Sequence, residues 1–310
     1  MASFLAVVGA VTIFLNAYLC QSNDVPVIGI LSVPCLPQIA AQDCPSWTGV
    51  NAQSYFAASY VKFLEAGGAK VVPILSTDSL ESVSKLVLQL NGVLFTGGTE
   101  YFNSSSIYYN QVINILDTLR EYHDNHPSQS IPLWTTCLGF QAMVCATSKT
   151  GPSILTGGFD AYNTPLSVDF TAYAPSSRVF NSTMPATYAS SVYTKMATEN
   201  VTENDHGGGF DPAQFANDAY LAGNFSIIGN SLAPESGKWF VTLIESHSDL
   251  GLNWYGSQWH PEKPQYEFTT VQGVHNLDSV FANQYLSEFF VNECRLHNDI
   301  VMDENTLNDL

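Results

Sequence analysis

Ile131-Pro132-Leu133-Trp134-Thr135-Thr136-Cys137-Leu138-Gly139-Phe140-Gln141 passes from an apolar run into a helical pattern with one residue between them, Cys137. The spacing predicts a buried strand over 131–136 and a helix over 138–147, so the thiol sits on a sharp strand-to-helix turn. Upstream the same alternation repeats. Strands are expected over 26–33, 69–75 and 92–95, and helices over 51–66, 79–90 and 107–123, the first stopped by Gly67 and Gly68. Alternation of this kind predicts an α/β fold: a three-layer sandwich with a mostly parallel central sheet flanked by helices, and a site beyond the carboxyl ends of the strands. Over 151–223 the pattern loosens into Gly, Ser, Thr, Asn and Pro, which suggests an insertion or irregular β structure. Order returns with strands over 238–245 and 252–259 and a helix over 277–295, where Leu277, Val280, Phe281, Phe289 and Phe290 share a face.

The chain has 310 residues, 45% of them hydrophobic and only 12% charged, too apolar for a disordered polymer. Ten Lys plus Arg against 28 Asp plus Glu give a formal charge of −18, a field that repels phosphate backbones and anionic membranes and argues against a nucleic-acid partner. The uncharged run from Phe4 to Leu19, followed by Gln21, Ser22, Asn23 and Asp24, reads as a signal peptide over 1–22 cut between 17 and 24. No later segment is apolar enough to span a bilayer. A single domain is expected over 25–297 and an acidic tail over 298–310. Sequons at Asn103, Asn181, Asn200 and Asn224 agree with the secretory pathway, and with a lysosome, a vacuole or the extracellular space as destination. Loss of Cys20 with the leader leaves five cysteines, so at least one thiol is free; Cys35 and Cys44 are spaced for a short disulfide. No Cys-x-x-Cys or other metal spacing occurs, and His123 and His126 read as cations at a helix C-terminus, so neither metal nor cofactor is expected.

At the turn, Cys137 faces the positive end of a helix, which favours the thiolate, and the N–H of Leu138 is placed to receive an oxyanion. Far downstream, Tyr255-Gly256-Ser257-Gln258-Trp259-His260-Pro261-Glu262-Lys263 follows a predicted strand. His260 can take and return the thiol proton, and Glu262 can orient its ring. A lone histidine in such a place is more often structural; together with the cysteine turn it points to nucleophilic catalysis.

These motifs, with the stretches 57–74, 91–98, 255–268 and 287–293, resemble the class I glutamine amidotransferase-like hydrolases, and within them the gamma-glutamyl hydrolase family. The resemblance implies Cys137 as nucleophile, His260 as base and Glu262 as its partner. It also implies that His206 lines the site and that Tyr60, Gly97 and Gly98 line the substrate and oxyanion pocket with Leu138. The implied substrate is folylpoly-γ-glutamate, and a homodimer is compatible with it. Three departures stand out. Thr135 replaces a family Gly and is expected to strain the turn, Gln141 replaces a family Glu and removes a charge, and Gly207-Gly208-Gly209 is expected to be a flexible run beside His206. The string His206-Gly207-Gly208-Gly209 is no lipase loop, because G-x-S-x-G is missing. The competing readings are an inactive glycoprotein that keeps the fold for binding, a hydrolase of another γ-glutamyl amide, and a true glutamine amidotransferase, against which the leader argues. A polyanionic substrate needs a local cation on so acidic a chain; Lys263 is the candidate, although a solvated lysine is the plainer reading.

Overall fold

The computed structural model describes residues 24–35, 53–181, 184–268 and 274–297; the expected leader, Cys20, Cys44 and the acidic tail lie outside them. In chain order the strands are β1 (Val27–Leu31), β2 (Val33–Pro34), β3 (Ser54–Tyr55), β4 (Lys70–Ile74), β5 (Gly92–Phe95), β6 (Leu133–Thr136), β7 (Thr156–Leu166), β8 (Asp169–Phe170), β9 (Thr202–Gly209), β10 (Phe225–Leu232), β11 (Trp239–Ser246) and β12 (Trp254–Ser257). The helices are α1 (Ala58–Ala66), α2 (Leu80–Val87), α3 (Ile107–Asn125), α4 (Leu138–Thr147), α5 (Ala186–Thr198), α6 (Pro212–Asn217), α7 (Ala219–Asn224), α8 (Lys263–Tyr266) and α9 (Leu277–Leu296).

Eight strands form one sheet in the order β4-β1-β5-β6-β12-β11-β10-β8. The five from β4 to β12 run parallel, and β11, β10 and β8 extend the sheet antiparallel. Strands β1 and β5, VIGIL and GVLF, read as unbroken apolar runs because both faces are covered. One core gathers Val83, Val112, Ile115, Leu119, Phe140 and Val144 from α2, α3 and α4. The other gathers Phe63, Leu64, Val192, Leu286, Phe289 and Phe290 from α1, α5 and α9 on the opposite face. Ser79, Ser106 and Asn276 cap α2, α3 and α9 by accepting backbone N–H groups three residues on. This is the expected three-layer sandwich.

Several expectations are corrected. The helix predicted from 51 begins at Ala58, and Ser54–Tyr55 instead pairs with Val33–Pro34. On α9 the buried face is Ala282, Tyr285, Leu286, Phe289 and Phe290, whereas Leu277 is 81% exposed. The loosened region holds a two-stranded antiparallel ribbon, β7 with β9, broken by two register shifts with Asp160 and Asn163 at positive φ, and also β8 and the helices α5 and α6, for which the sequence shows no clear period. The three glycines after His206 lie inside β9, where Gly208 and Gly209 pair with Gly157 and Thr156 of β7, so they form strand and no flexible run. Among the described residues no helix is long and apolar enough to cross a membrane, and no group of His, Cys, Asp and Glu could hold a metal ion.

Candidate active site

Three adjacent parallel strands deliver the site. Strand β6 pairs Thr135 with Phe95 of β5 on one side and with Gly256 of β12 on the other. Thr136 stands opposite Ser257, so Cys137 and the segment from Gln258 to Glu262 leave neighbouring strands at the same end, and Gly97-Gly98 leaves β5 beside them. The register thus closes a separation of more than a hundred residues between Cys137 and His260.

Cys137 has φ 48° and ψ −105°, a left-handed conformation that costs a non-glycine residue about 1–3 kcal/mol. Its N–H donates to Ser257 O at 2.9 Å, and the N–H of Gly139 donates to Thr96 O at 3.0 Å, pinning α4 to the strand ends. A Cβ on Gly139 would stand 2.5–2.8 Å from Phe95 Cβ, O and C, so only glycine lets the helix approach β5 this closely. The expected strain at Thr135 is absent. Thr135 lies in extended strand, donates Oγ1 to Tyr255 O at 3.1 Å, and fills the space left by Gly256, whose missing Cβ would lie 2.8 Å from that Oγ1. Strain belongs to Cys137 itself.

His260 is 5% exposed and lies close enough to Cys137 for the charge of that group to act on its ring. Its Nδ1 lies 2.7 Å from Glu262 Oε1 and 3.2 Å from Tyr60 Oη, which leaves Nε2 for the thiol. Burial and Lys263 press its pKa down; Glu262 and Cys137 outweigh them and raise it to about 10. Tyr60 is buried and its hydroxyl accepts the Gly97 N–H at 2.7 Å. Gly97 presses on the same pair: a Cβ there would stand 2.5 Å from His260 Cε1 and 2.6 Å from Tyr60 Oη. Gly98, at φ 152°, faces Leu138 and Tyr55.

His206 is buried on β9 with its ring edge-on to Phe240. Its Nδ1 lies 2.8 Å from Gly208 O, which only accepts, so the single proton of the neutral ring sits there, and Nε2 stands 3.2 Å from the Asn204 side-chain amide. Burial lowers its pKa to about 4, the carbonyl of Gly208 opposing and His260 adding to the fall. It therefore stands near His260 as a neutral group.

Several site groups carry no sequence motif. Glu203 of β9 accepts the His260 N–H through its carbonyl at 2.8 Å, while its own carboxylate is buried without a hydrogen-bond partner among the described residues; burial raises its pKa. Lys263 is no solvated lysine: its side chain is 13% exposed and its Nζ lies 3.5 Å from Asp205 and 4.0 Å from Glu267. Glu267 also accepts from Ser59 Oγ at 2.6 Å. A buried charge cluster around the HPE segment had no local signal, because Glu203, Asp205 and Glu267 come from two distant stretches. Of the free cysteines Cys137, Cys145 and Cys294, the last two lie on α4 and α9 with their thiols buried and their pKa values raised by desolvation, that of Cys145 to about 12. Cys35 is disulfide-bonded, to a partner outside the described residues.

The chain is similar to several known proteins. Residues 26–151 match the Peptidase C26 family. Gamma-glutamyl hydrolase B of Dictyostelium discoideum is 32% identical over 92% of this chain and 76% of its own length, and the human gamma-glutamyl hydrolase is 30% identical over 88% and 79%. A solved glutamine amidotransferase from Thermotoga maritima superposes at TM-score 0.45 with 11% identity, covering 88% of this chain and 99% of that one. Fold, elbow and relatives together define a cysteine-type hydrolase on a three-layer α/β frame. Within that class the chain belongs to the gamma-glutamyl hydrolase family.

Proposed function

We propose that the chain hydrolyses the γ-glutamyl bonds of folylpoly-γ-glutamates, with Cys137 as nucleophile, His260 as acid and base, and Glu262 as the group that orients His260. The observation that carries this reading is the meeting of Cys137, His260 and Glu262 at the ends of β6 and β12, with Nδ1 of His260 held at 2.7 Å by Glu262. The thiolate of Cys137 attacks the γ-carbonyl carbon. The oxygen takes the negative charge and is received by the N–H of Leu138 and that of Gly98, since the Gly97 N–H is already given to Tyr60. His260 passes its proton to the leaving nitrogen and the C–N bond breaks, releasing the amine and leaving a thioester on Sγ. His260 then removes a proton from water, whose oxygen attacks the thioester; collapse releases the γ-carboxyl product and regenerates the thiolate–imidazolium pair.

Two residues that favoured an inactive binding module are accommodated: Thr135 against Gly256, and Gln141 by two hydrogen bonds. We propose further that the protein works in the secretory pathway or beyond it. Of the four sequons, Asn103, Asn181 and Asn200 are exposed and are the favoured glycosylation sites, whereas Asn224 is half-buried and donates Nδ2 to Tyr220 O at 2.8 Å. The test is product analysis of folyl-pentaglutamate incubated with the wild type and with Cys137→Ala. Glutamate or glutamate oligomers released by the wild type alone are expected. No release between acidic and neutral pH, with Cys137 shown to be reduced, would shift the reading to another γ-glutamyl amide or to the inactive module.

A further inference from the structure

The two catalytic segments meet again one helical turn beyond the nucleophile. Gln141 in α4 donates Nε2 to Gly208 O at 2.9 Å and to Gln258 Oε1 at 3.2 Å. Gln258 stands two residues before His260, and Gly208 stands two residues after His206, whose Nδ1 faces the same carbonyl at 2.8 Å. One side-chain amide therefore ties α4 to β9 and to the segment leaving β12. Gln141 is 8% exposed and Gln258 is fully buried, so water is a poor substitute for either bond.

The partners fix how both amides point. A carbonyl only accepts, so Gln141 must turn its NH2 to Gly208 O; its second N–H then requires that Gln258 present Oε1. Gln258 Nε2 is left buried without a hydrogen-bond partner among the described residues. That arrangement is tolerated only because the donor at 141 has to be met. A carboxylate at 141 would set negative oxygen against Gly208 O. Gln258 could turn its amide and give its orphaned N–H groups to that carboxylate, but Gly208 O has no such remedy and needs a proton between the two oxygens.

We propose that Gln141 is a positioning residue that docks the nucleophile helix against the His206 strand and the His260 segment at any working pH, where a glutamate would do so only when protonated. The amide is the permanent counterpart of a protonated carboxyl, with a donor that titration cannot remove. The titratable groups around the junction are His206 on β9 through the shared carbonyl, Cys137 one turn back on α4, and His260 two residues beyond Gln258. The inference rests on Cys137 and His260 being the catalytic pair.

The experiment compares the wild type with Gln141→Glu and Gln141→Met from pH 4 to 8. Two quantities are read: kcat and KM on folyl-pentaglutamate, and the rate of Cys137 alkylation by iodoacetamide, which needs no substrate. Gln141→Met keeps the volume and lacks the donors; a loss of about 10- to 100-fold in kcat at every pH is expected, with KM within about threefold. Gln141→Glu should match that loss at pH 8 and return to within about threefold of the wild type towards pH 4, its alkylation rate relative to wild type following the same course. Equal losses in both variants at every pH would overturn the proposal, as would Gln141→Glu behaving like the wild type at pH 8. If the wild type alkylates but leaves folyl-pentaglutamate intact, the substrate reading fails by itself, and the alkylation ratios still decide the role of Gln141.

Discussion

At Cys137 the backbone carries a cost that the chemistry requires. Its φ of 48° and ψ of −105° mirror a conformation that glycine adopts freely and that a side chain resists. Cys137→Ala should lower kcat/KM by roughly 10⁴-fold or more while the protein folds, since the substitution keeps the strain and removes only sulfur. Cys137→Gly should be just as inactive and yet more stable than Cys137→Ala by about 1 kcal/mol, read as a higher Tm. Equal Tm values for the two would refute stored strain at the nucleophile. His260 lies beside it with a pKa raised to about 10, above the ordinary value of about 6.5 of an unfolded chain. The stability from this ion-paired imidazolium is complete below about pH 6.5 and is lost as the pH rises through about 10. His260→Asn should slow Cys137 alkylation at neutral pH and flatten the alkaline fall in Tm; an unchanged alkylation rate would break the pairing. The proposed nucleophile, base and carboxylate, Cys137, His260 and Glu262, could be singled out in the sequence because each follows a strand and stands in a compact motif. The roles of Lys263 and Glu203 were not, since burial of a charge depends on what packs over it.

At the scale of elements, α4 and β9 do the positioning. The approach of α4 to β5 has no room for a side chain at Gly139, so Gly139→Ala should displace the helix, destabilise the fold by about 2–4 kcal/mol and depress activity together. A fully active Gly139→Ala with wild-type Tm would show that the helix can shift without cost. Strand β9 brings His206 in neutral form, its pKa lowered to about 4 by burial. The unfolded chain binds that proton at about pH 6.5, so stability is whole above this value and falls as the pH drops towards about 4. Thermal melts should show an acid limb in this window that His206→Gln lacks; the same limb in the variant would assign it to other groups. The helix–strand alternation up to Thr147 was readable because local periodicity dictates it. The β7–β9 ribbon escaped the reading, since its glycines and its bulges at Asp160 and Asn163 obscure the two-residue period, and its pairing joins residues some forty apart.

Over the whole molecule, the formal charge of −18 opposes the proposed polyanionic substrate, while Lys263, whose charge acts on His260, is already engaged by Asp205 and Glu267. Raising the ionic strength from about 0.01 to about 0.15 M shortens the screening length from about 30 to about 8 Å. The value of kcat/KM should therefore rise with salt, and more steeply for folyl-pentaglutamate than for folyl-diglutamate. A fall with salt would show that a local positive field governs capture. The sequence by itself determined the alternation of strand and helix, the apolar parallel strands, and the elbow and HPE motifs, because these depend on neighbours a few residues apart. Tertiary structure alone decided that β6 and β12 lie side by side and so place Cys137 against His260. It also decided that Thr135 fills the space of Gly256 and that Lys263 is buried among carboxylates. The physical reason is that strand order and the burial of charge are set by contacts between segments far apart in the chain, which no local pattern encodes.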